Sequence, residues 1–426
     1  MHIILLSGGS GKRLWPLSNE TLSKQFLKVQ TNEFGESESM VQRVVGQIRA
    51  AHPDSSVYVS ANSSQEDVLQ KQLGKIETIL EPTRRNTFPA IVLAAAYLHY
   101  VKSLDESETF ITCPIDPFAE NHYFELFKEV VDLVKSGMAA IGLLGALPTF
   151  PTAKYGYILR DENRVTGFKE KPSESEAEDL IADGALWNCS IFALKIGYVL
   201  EKARKYVDFD SFESIYDKYG QLPSESFDIE VVEKEPRISA VIYDGAWKDL
   251  GTWNTLTEEI KHQSTGKHIL ISESSRNTHV LKMLEIPIVV NDISDAVVIA
   301  SHDGILVSSK HGSSYLKPQV DQITLAPMFG EKTWGDFRIL EHREADYGTH
   351  AVKRMRIEAG KTVGENSHSH NWLVWVVLSG KGILTLFDED SVATEGDSIE
   401  IPPGVGFSLL AATNMELIEV VRDGGA

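Results

Sequence analysis

The chain has 426 residues, too many for one ordinary hydrophobic core, which points to a large domain of about 250 residues with one or two smaller ones. Its 61 acidic and 41 basic side chains leave a net charge of −20, so nucleic acid and anionic membrane are poor partners, and any anionic ligand must meet a local basic cluster or a bridging cation. Two cysteines, Cys113 and Cys189, are too few for a disulfide framework and lack the spacing of a zinc site; they read as small buried or near-site residues of a cytoplasmic protein.

The first residues, MHIILLSGGSGKRLWPL, are apolar only briefly and then turn glycine-rich and basic with no small-residue cleavage site. That predicts a buried strand running into a loop, not a signal peptide, and no other apolar run reaches membrane-spanning length. Strand-like runs at 2–6, 56–60, 109–113 and 139–144 alternate with helical patterns at 40–50, 87–102 and 122–135. The alternation predicts an α/β fold, a parallel or mixed sheet with helices on both faces and ligands beyond the strand ends. From about 265 the texture changes to short strands (HVLKM, IPIVV, DAVVIAS, GILVSS) separated by Asn, Asp, Ser and Gly. A second change near Pro327 leads into β runs with glycine turns, which predict a small antiparallel barrel or jelly roll. The expected domains are therefore 1–262, a small β-rich segment at 263–328 that is β-helix-like, and a barrel at 329–426.

Strand 2–6 empties into Ser7-Gly8-Gly9-Ser10-Gly11-Lys12-Arg13, and glycines let such a loop turn backbone N–H groups toward a phosphate. Arg13 adds a planar cation able to grip two phosphate oxygens. The loop is not a P-loop, because Leu6 stands where the first glycine belongs and Arg13 where a Ser or Thr belongs; nor is it a dinucleotide fingerprint, whose last glycine falls at Leu14. Alone it is also compatible with a plain tight turn.

Its company changes the reading. GGSGKRLWPLS followed by KQFL, then EPTRRNTFPAI, CPIDPF, PTFPTAKYGYI, FKEKP, LWNCSIF and WKDLGTW, in that order, resemble the nucleotide-sugar pyrophosphorylases, specifically the GDP-mannose pyrophosphorylase branch. One departure is Ser23, where that family usually has proline. The resemblance implies a Rossmann-like nucleotidyltransferase domain with a mixed, mostly parallel sheet, and a reaction in which a sugar-phosphate oxygen attacks the α-phosphorus of a nucleoside triphosphate and pyrophosphate leaves. A phosphate monoester is already mostly dianionic near neutrality, its second pKa being about 6, so the nucleophile needs no general base. The task is to bring two anions together in line and to stabilise the charge growing on the leaving oxygens.

Magnesium can neutralise and orient at once, and by resemblance its carboxylates are Asp116 and Asp249, although either acid alone would read as a cap or turn residue. The resemblance further implies that Arg13 contacts the β- and γ-phosphates, Lys24 the α-phosphate region, and Lys171 the sugar phosphate, and that Gly156, Glu170 and Asn188 line the hexose pocket. The nucleotide would lie along Leu6, Gly8, Gly9, Ser10, Gly11, Lys12 and Arg13, with the nucleoside near Arg85, Asn86 and Thr87. The motif variants favour guanine, hence GTP and mannose 1-phosphate going to GDP-mannose and pyrophosphate.

The stretch 331–426 resembles the cupin domain that in some family members provides mannose-6-phosphate isomerase activity. Here Asn366, His368 and His370 keep only part of a metal set, since Leu373 and Val374 fall where the isomerases have Glu-His and Phe407 where they have a late histidine. A non-catalytic role for this barrel is expected over a bifunctional enzyme, and a β-rich tail of this kind suggests a homodimer. The alternatives are another sugar 1-phosphate or base, and a regulator that binds nucleotide sugar without turnover. The last would be expected to lose the charged site residues, and Arg13, Lys24, Asp116, Lys171 and Asp249 are all present.

Overall fold

The structure, a computed structural model, describes residues 1–426 except 10, 33, 162–163, 261, 346–347, 369–370 and 423–426, and gives backbone alone at 344–345, 348–349, 365–368 and 422. It forms two compact units. The first comprises Met1–Gly9, Gln25–Glu66 and Leu73–Gly251; the second comprises 10–24, Asp67–Gln72 and Thr252–Ala426.

In the first unit, besides a two-residue hairpin of Gln30–Thr31 with Ser37–Glu38, the strands are β1 (His2–Leu6), β2 (Ser56–Asn62), β3 (Glu77–Glu81), β4 (Thr109–Pro114), β5 (Pro117–Ala119), β6 (Ile141–Ala146), β7 (Gly156–Asp161), β8 (Arg164–Glu170), β9 (Leu186–Lys195), β10 (Ile238–Tyr243) and β11 (Trp247–Asp249). Nine of them make one sheet in the order β3-β2-β1-β4-β9-β6-β10-β8-β7, and β5 pairs with β11 as a separate ribbon. β1 runs parallel to β2 and β4, as a continuous apolar run covered on both faces should. β9 enters antiparallel between β4 and β6, so the sheet is more mixed than the alternation of strands and helices suggests; side-chain periodicity reports burial, not strand direction.

The helices that cover this sheet include α1 (Met40–Ala51), α2 (Thr87–Ala96), α3 (Phe127–Lys135) and α4 (Ile196–Ala203). Ser39 and Gln42 close a reciprocal capping box at the start of α1. α2 is apolar on every side and buried from Phe88 to Ala96, in one cluster with Ile196, Val199 and Leu200 of α4 and Ile4 and Phe110 of the sheet. Among the described residues no helix is long and apolar enough to cross a membrane.

The register fixes the rim of the sheet. Leu6 stands level with Ser60 on one side and Pro114 on the other. The Leu6 carbonyl accepts the Ile115 N–H at 3.3 Å, and the Ser7 N–H donates to the Ser60 carbonyl at 2.8 Å. The turn at Gly8 and Gly9 and the turn at Asp116 therefore leave from the same edge.

In the second unit, short strands stack in parallel: Ser264–Thr265 on His279–Lys282, that strand on Ala296–Ser301, and Ile269–Ile271 on Ile288–Val290. Beyond them, six-stranded and four-stranded antiparallel sheets form the barrel. Its interior is filled: Leu373, Trp375, Leu409 and Leu417 are buried together, and the Phe407 ring meets Trp375 edge-on at 5.4 Å. Of the three histidine-motif residues, Asn366 and His368 are described by backbone only, and His370 lies outside the described residues. A charged group, Glu419, enters the barrel core, where it accepts from Lys353 Nζ and from Trp375 Nε1, both at 2.9 Å. Trp375→Phe strips one partner from a buried carboxylate, so it should lower stability by about 1–3 kcal/mol. Chemical denaturation followed on the barrel transition measures this, and an unchanged midpoint would show the indole bond to be dispensable.

Candidate active site

The two acids expected to hold a metal come from distant stretches of the first unit, and the β5·β11 ribbon brings them together. Asp249 lies directly opposite Pro117, the residue after Asp116, with Lys248 opposite Phe118 and Trp247 opposite Ala119. Three residue pairs make too short a ribbon to stand alone, and it is clamped from both sides. Arg43 of α1 donates to the Pro117 carbonyl at 2.8 Å while its guanidinium lies 4.3 Å from the centre of the Phe118 ring. The Tyr243 hydroxyl accepts the Glu120 N–H at 3.3 Å and donates to the Ala246 carbonyl at 3.1 Å, tying the far ends of both strands. Gly251 completes the setting: a Cβ there would lie 3.0 Å from Asp249 Oδ2 and 3.1 Å from Oδ1, so a side chain at this position would press the carboxylate aside by a few tenths of an ångström. Two half-buried carboxylates on adjoining turns are the kind of donor set that a hard divalent cation shares with phosphate and water oxygens.

A second group gathers further along the same unit. Gly156 opens β7 opposite Glu170, which closes β8. The Glu170 carboxylate and the Phe168 ring occupy the place of the missing Gly156 side chain, 2.6 and 2.8 Å from where its Cβ would stand. Lys171 follows with φ 46°, and its Nζ meets Glu170 Oε1 at 2.7 Å. Asn188 sits at a bulge in β9, where register with β6 slips between Asn188 and Ile191. Its amide is held at both ends: Oδ1 accepts the Ser190 N–H at 3.0 Å, and Nδ2 donates to Asp228 Oδ1 at 2.7 Å.

Asp228 is the residue that sequence reasoning missed. In SESFDIE it follows the cap residue Ser226 and reads as an ordinary acid in the first turn of a helix; the structure buries it against Asn188 instead. Burial, and then the negative charge of Glu170, push its carboxyl up to about 6, against the weaker opposing pull of the Asn188 amide and Lys171.

The Arg85-Asn86-Thr87 turn enters α2 beside this group. Arg85 donates to the Leu222 carbonyl at 2.8 Å, Asn86 caps α2 with φ 75°, and Thr87 Oγ1 accepts the Phe227 N–H at 2.8 Å. The turn is thus braced on the segment that carries Asp228. Cys113 and Cys189 are free, buried thiols; burial raises Cys113 far above the ordinary range and Cys189 to about 12, so neither is a nucleophile.

Gly11, Lys12, Arg13 and Lys24 fall in the second unit, and Ser10 lies outside the described residues. Gly11 has φ 70°, and a Cβ there would strike the Asn19 carbonyl oxygen at 1.9 Å. Lys12, expected on phosphate, is ion-paired to Asp321 at 2.8 Å, whereas Arg13 is exposed.

The nucleotidyl transferase family profile matches residues 2–265, and the cupin domain profile matches 353–421. The chain belongs to the nucleotidyl transferase family. It is similar over nearly its whole length to the Escherichia coli O157:H7 protein named mannose-1-phosphate guanylyltransferase 2, at 26% identity over 95% of this chain and 91% of that one. To the xanthan biosynthesis protein XanB of Xanthomonas campestris it is 30% identical over 98% of this chain and 94% of that one. A solved structure from Thermus thermophilus, described as a mannose-1-phosphate geranyltransferase, superposes with a TM-score of 0.60 at 25% identity, covering 75% of this chain and 98% of its own. Nucleotidyl transferases of this kind generally work with a divalent metal, and their substrates are a nucleoside triphosphate and a sugar phosphate.

The raised carboxyl of Asp228 has a thermodynamic consequence. Well below the ordinary aspartate value of 3.8 it is protonated folded or unfolded and costs nothing; as pH rises from there to 6 the unfolded chain ionises first, so the fold loses up to about 3 kcal/mol. Asp228→Asn keeps an acceptor for Asn188 and has no such loss. Its stability relative to wild type should climb between pH 4 and 6.5, and denaturation curves that stay parallel through that window would mean that the carboxyl titrates normally.

Proposed function

We propose that this protein transfers the guanylyl group of GTP to mannose 1-phosphate, giving GDP-mannose and pyrophosphate, with magnesium held by Asp116 and Asp249. The base and sugar follow the names of the full-length guanylyltransferase relatives, and the chemistry follows the two groups of residues described above. The observation that carries the reading is the opposition of Asp249 and Pro117 in the β5·β11 ribbon, next to Asp116.

Magnesium, when bound, supplies charge neutralisation to the triphosphate and the leaving pyrophosphate. The remainder is binding and orientation. Lys171 takes the phosphate of the sugar, and Glu170, Asn188 and Asp228 face its hydroxyls, with the Gly156 backbone leaving room for them. The dianionic phosphate oxygen attacks the α-phosphorus; the new oxygen–phosphorus bond forms as the bond to the β-phosphate oxygen breaks, and the electron pair leaves with pyrophosphate. Arg13 and Lys24 receive the growing charge of the triphosphate, and the turn at Arg85-Asn86-Thr87 seats the nucleoside. The two buried, unpaired cysteines suit a reducing, cytoplasmic setting. The barrel serves structure or assembly, since hydrocarbon from Leu373 and Phe407 stands where a catalytic cupin places ligands.

Purified protein supplied with GTP, mannose 1-phosphate and magnesium should release pyrophosphate, and chelation with EDTA should stop it. Asp249→Asn should lower turnover by about a thousandfold or more, the scale of a lost electrostatic contact at phosphorus, while the melting temperature stays within a few degrees. Normal turnover in that variant removes Asp249 from the metal site. Gly156→Ala should displace Glu170 and raise KM for mannose 1-phosphate tenfold or more with KM for GTP nearly unchanged; equal effects on both substrates would place Gly156 outside the sugar pocket.

A further inference from the structure

The glycine loop continues as the stretch 10–24, and within the second unit this stretch is fastened to residues from the other end of the sequence. The hub is Asn19, whose side chain is buried and fully used. Its Oδ1 accepts the Thr21 N–H, the Thr21 hydroxyl and the Leu22 N–H at 3.0, 2.9 and 2.8 Å. Its Nδ2 donates to Asp303 Oδ2 at 2.7 Å and to the Phe329 carbonyl at 3.2 Å. The Asn19 backbone carbonyl is also the atom that occupies the space beside Gly11, one residue before Lys12 and two before Arg13. Asp303 is itself fixed, because its Oδ1 accepts the Met328 N–H at 2.6 Å and its N–H donates to Ser301 Oγ at 3.1 Å. The Ser301 hydroxyl in turn donates to the Pro16 carbonyl, and Gly304 leaves room for the Trp15 ring, which would lie 2.5 Å from a Cβ there.

We propose that Asp303 is a positioning residue for triphosphate binding: it orients Asn19, Asn19 sets the backbone around Gly11, and that backbone sets the direction of the Arg13 side chain. The inference rests on the reading of this loop as the phosphate-binding element. It assigns a substrate-binding duty to a residue far outside the part of the chain that holds the reacting groups. The physical reason is cost. A half-buried charged acceptor on a buried amide makes a strong, directional bond, and a donor facing a donor or a carboxylate facing a carboxylate there forces the loop to shift. Placement of a cation within a fraction of an ångström is what a phosphate site requires.

The test is a swap. Asn19→Asp alone sets two carboxylates against each other, and Asp303→Asn alone leaves one N–H facing another. The double variant restores the bond between the two side chains with donor and acceptor exchanged, and the amide oxygen that it introduces at position 303 still accepts the Met328 N–H; only the longer bond from Asn19 to the Phe329 carbonyl, at 3.2 Å, is not regained. Binding of magnesium–GTP by titration calorimetry, without sugar phosphate, should weaken tenfold or more in Asn19→Asp and several-fold in Asp303→Asn, and return to within about threefold of wild type in the pair. KM for mannose 1-phosphate should stay within twofold in every folded variant. If Asn19→Asp does not fold, Asp303→Ser, measured for the same two ligands, replaces it. Equal weakening of both ligands, no weakening, or a double variant no better than its worse parent overturns the proposal. Wild-type protein that fails to bind GTP at all sinks instead the guanylyltransferase reading on which the proposal stands.

Discussion

The three-pair ribbon of β5 and β11 is the constraint on which the chemistry depends. The proposed divalent cation would be held by carboxylates at fixed separation, and Asp116 and Asp249 come from loops that follow different strands. Adjacent strands lie under about 5 Å apart, so pairing Asp249 with Pro117 keeps the backbone at Asp249 close to the backbone that follows Asp116. The ribbon in turn relies on groups with no part in metal binding: the Arg43 guanidinium, the Tyr243 hydroxyl and the missing side chain of Gly251. Changes at any of them should act on the proposed metal site at one remove.

The sheet edge supplies the second half of this arrangement. β1 and β4 end level with each other, so the glycine turn and the first acid leave from one rim. This follows from the sequence almost directly: HIILL and TFITCP are apolar without alternation, each ends in a turn signal, and runs buried on both faces belong to parallel strands under helices. The buried helix 87–96 was legible for the same reason. What could not be read was direction and partnership. β9 looks like its neighbours in composition yet runs against them, and its bulge at Asn188 leaves no mark in the pattern.

The same distinction holds within the candidate site. Gly11 is visible as a glycine, but the reason for it, a carbonyl from Asn19, is a fact of three-dimensional packing. Lys12 looks like a phosphate ligand because of its neighbours and is found on Asp321, 309 residues away, a pairing that no local pattern encodes. Asp228 hides behind an ordinary helix-start pattern, although it is the most strongly buried acid of its group. Leu373 and Phe407 are the opposite case: they were informative because a resemblance supplied the residues that they replace, and both pack in or against the apolar cluster of the barrel.

A strongly acidic chain that handles anions must keep its carboxylates from opposing them, and the sugar-side group shows how this can be done. Glu170 and Lys171 form an ion pair in which the lysine is 63% exposed and the carboxylate 20%. An exposed pair of this kind holds about 0–1 kcal/mol, so an arriving phosphate can draw Lys171 away at little cost. In the proposed reading Glu170 then turns from ion-pair partner to hydrogen-bond acceptor for a sugar hydroxyl, with no carboxylate left facing the phosphate. Asp228, with its carboxyl near 6, adds less than a full charge to the pocket in weakly acidic solution and is screened by the Asn188 amide. In the proposed reading, hydroxyl recognition and phosphate recognition fall to different side chains on adjoining residues, the second of them, Lys171, at positive φ.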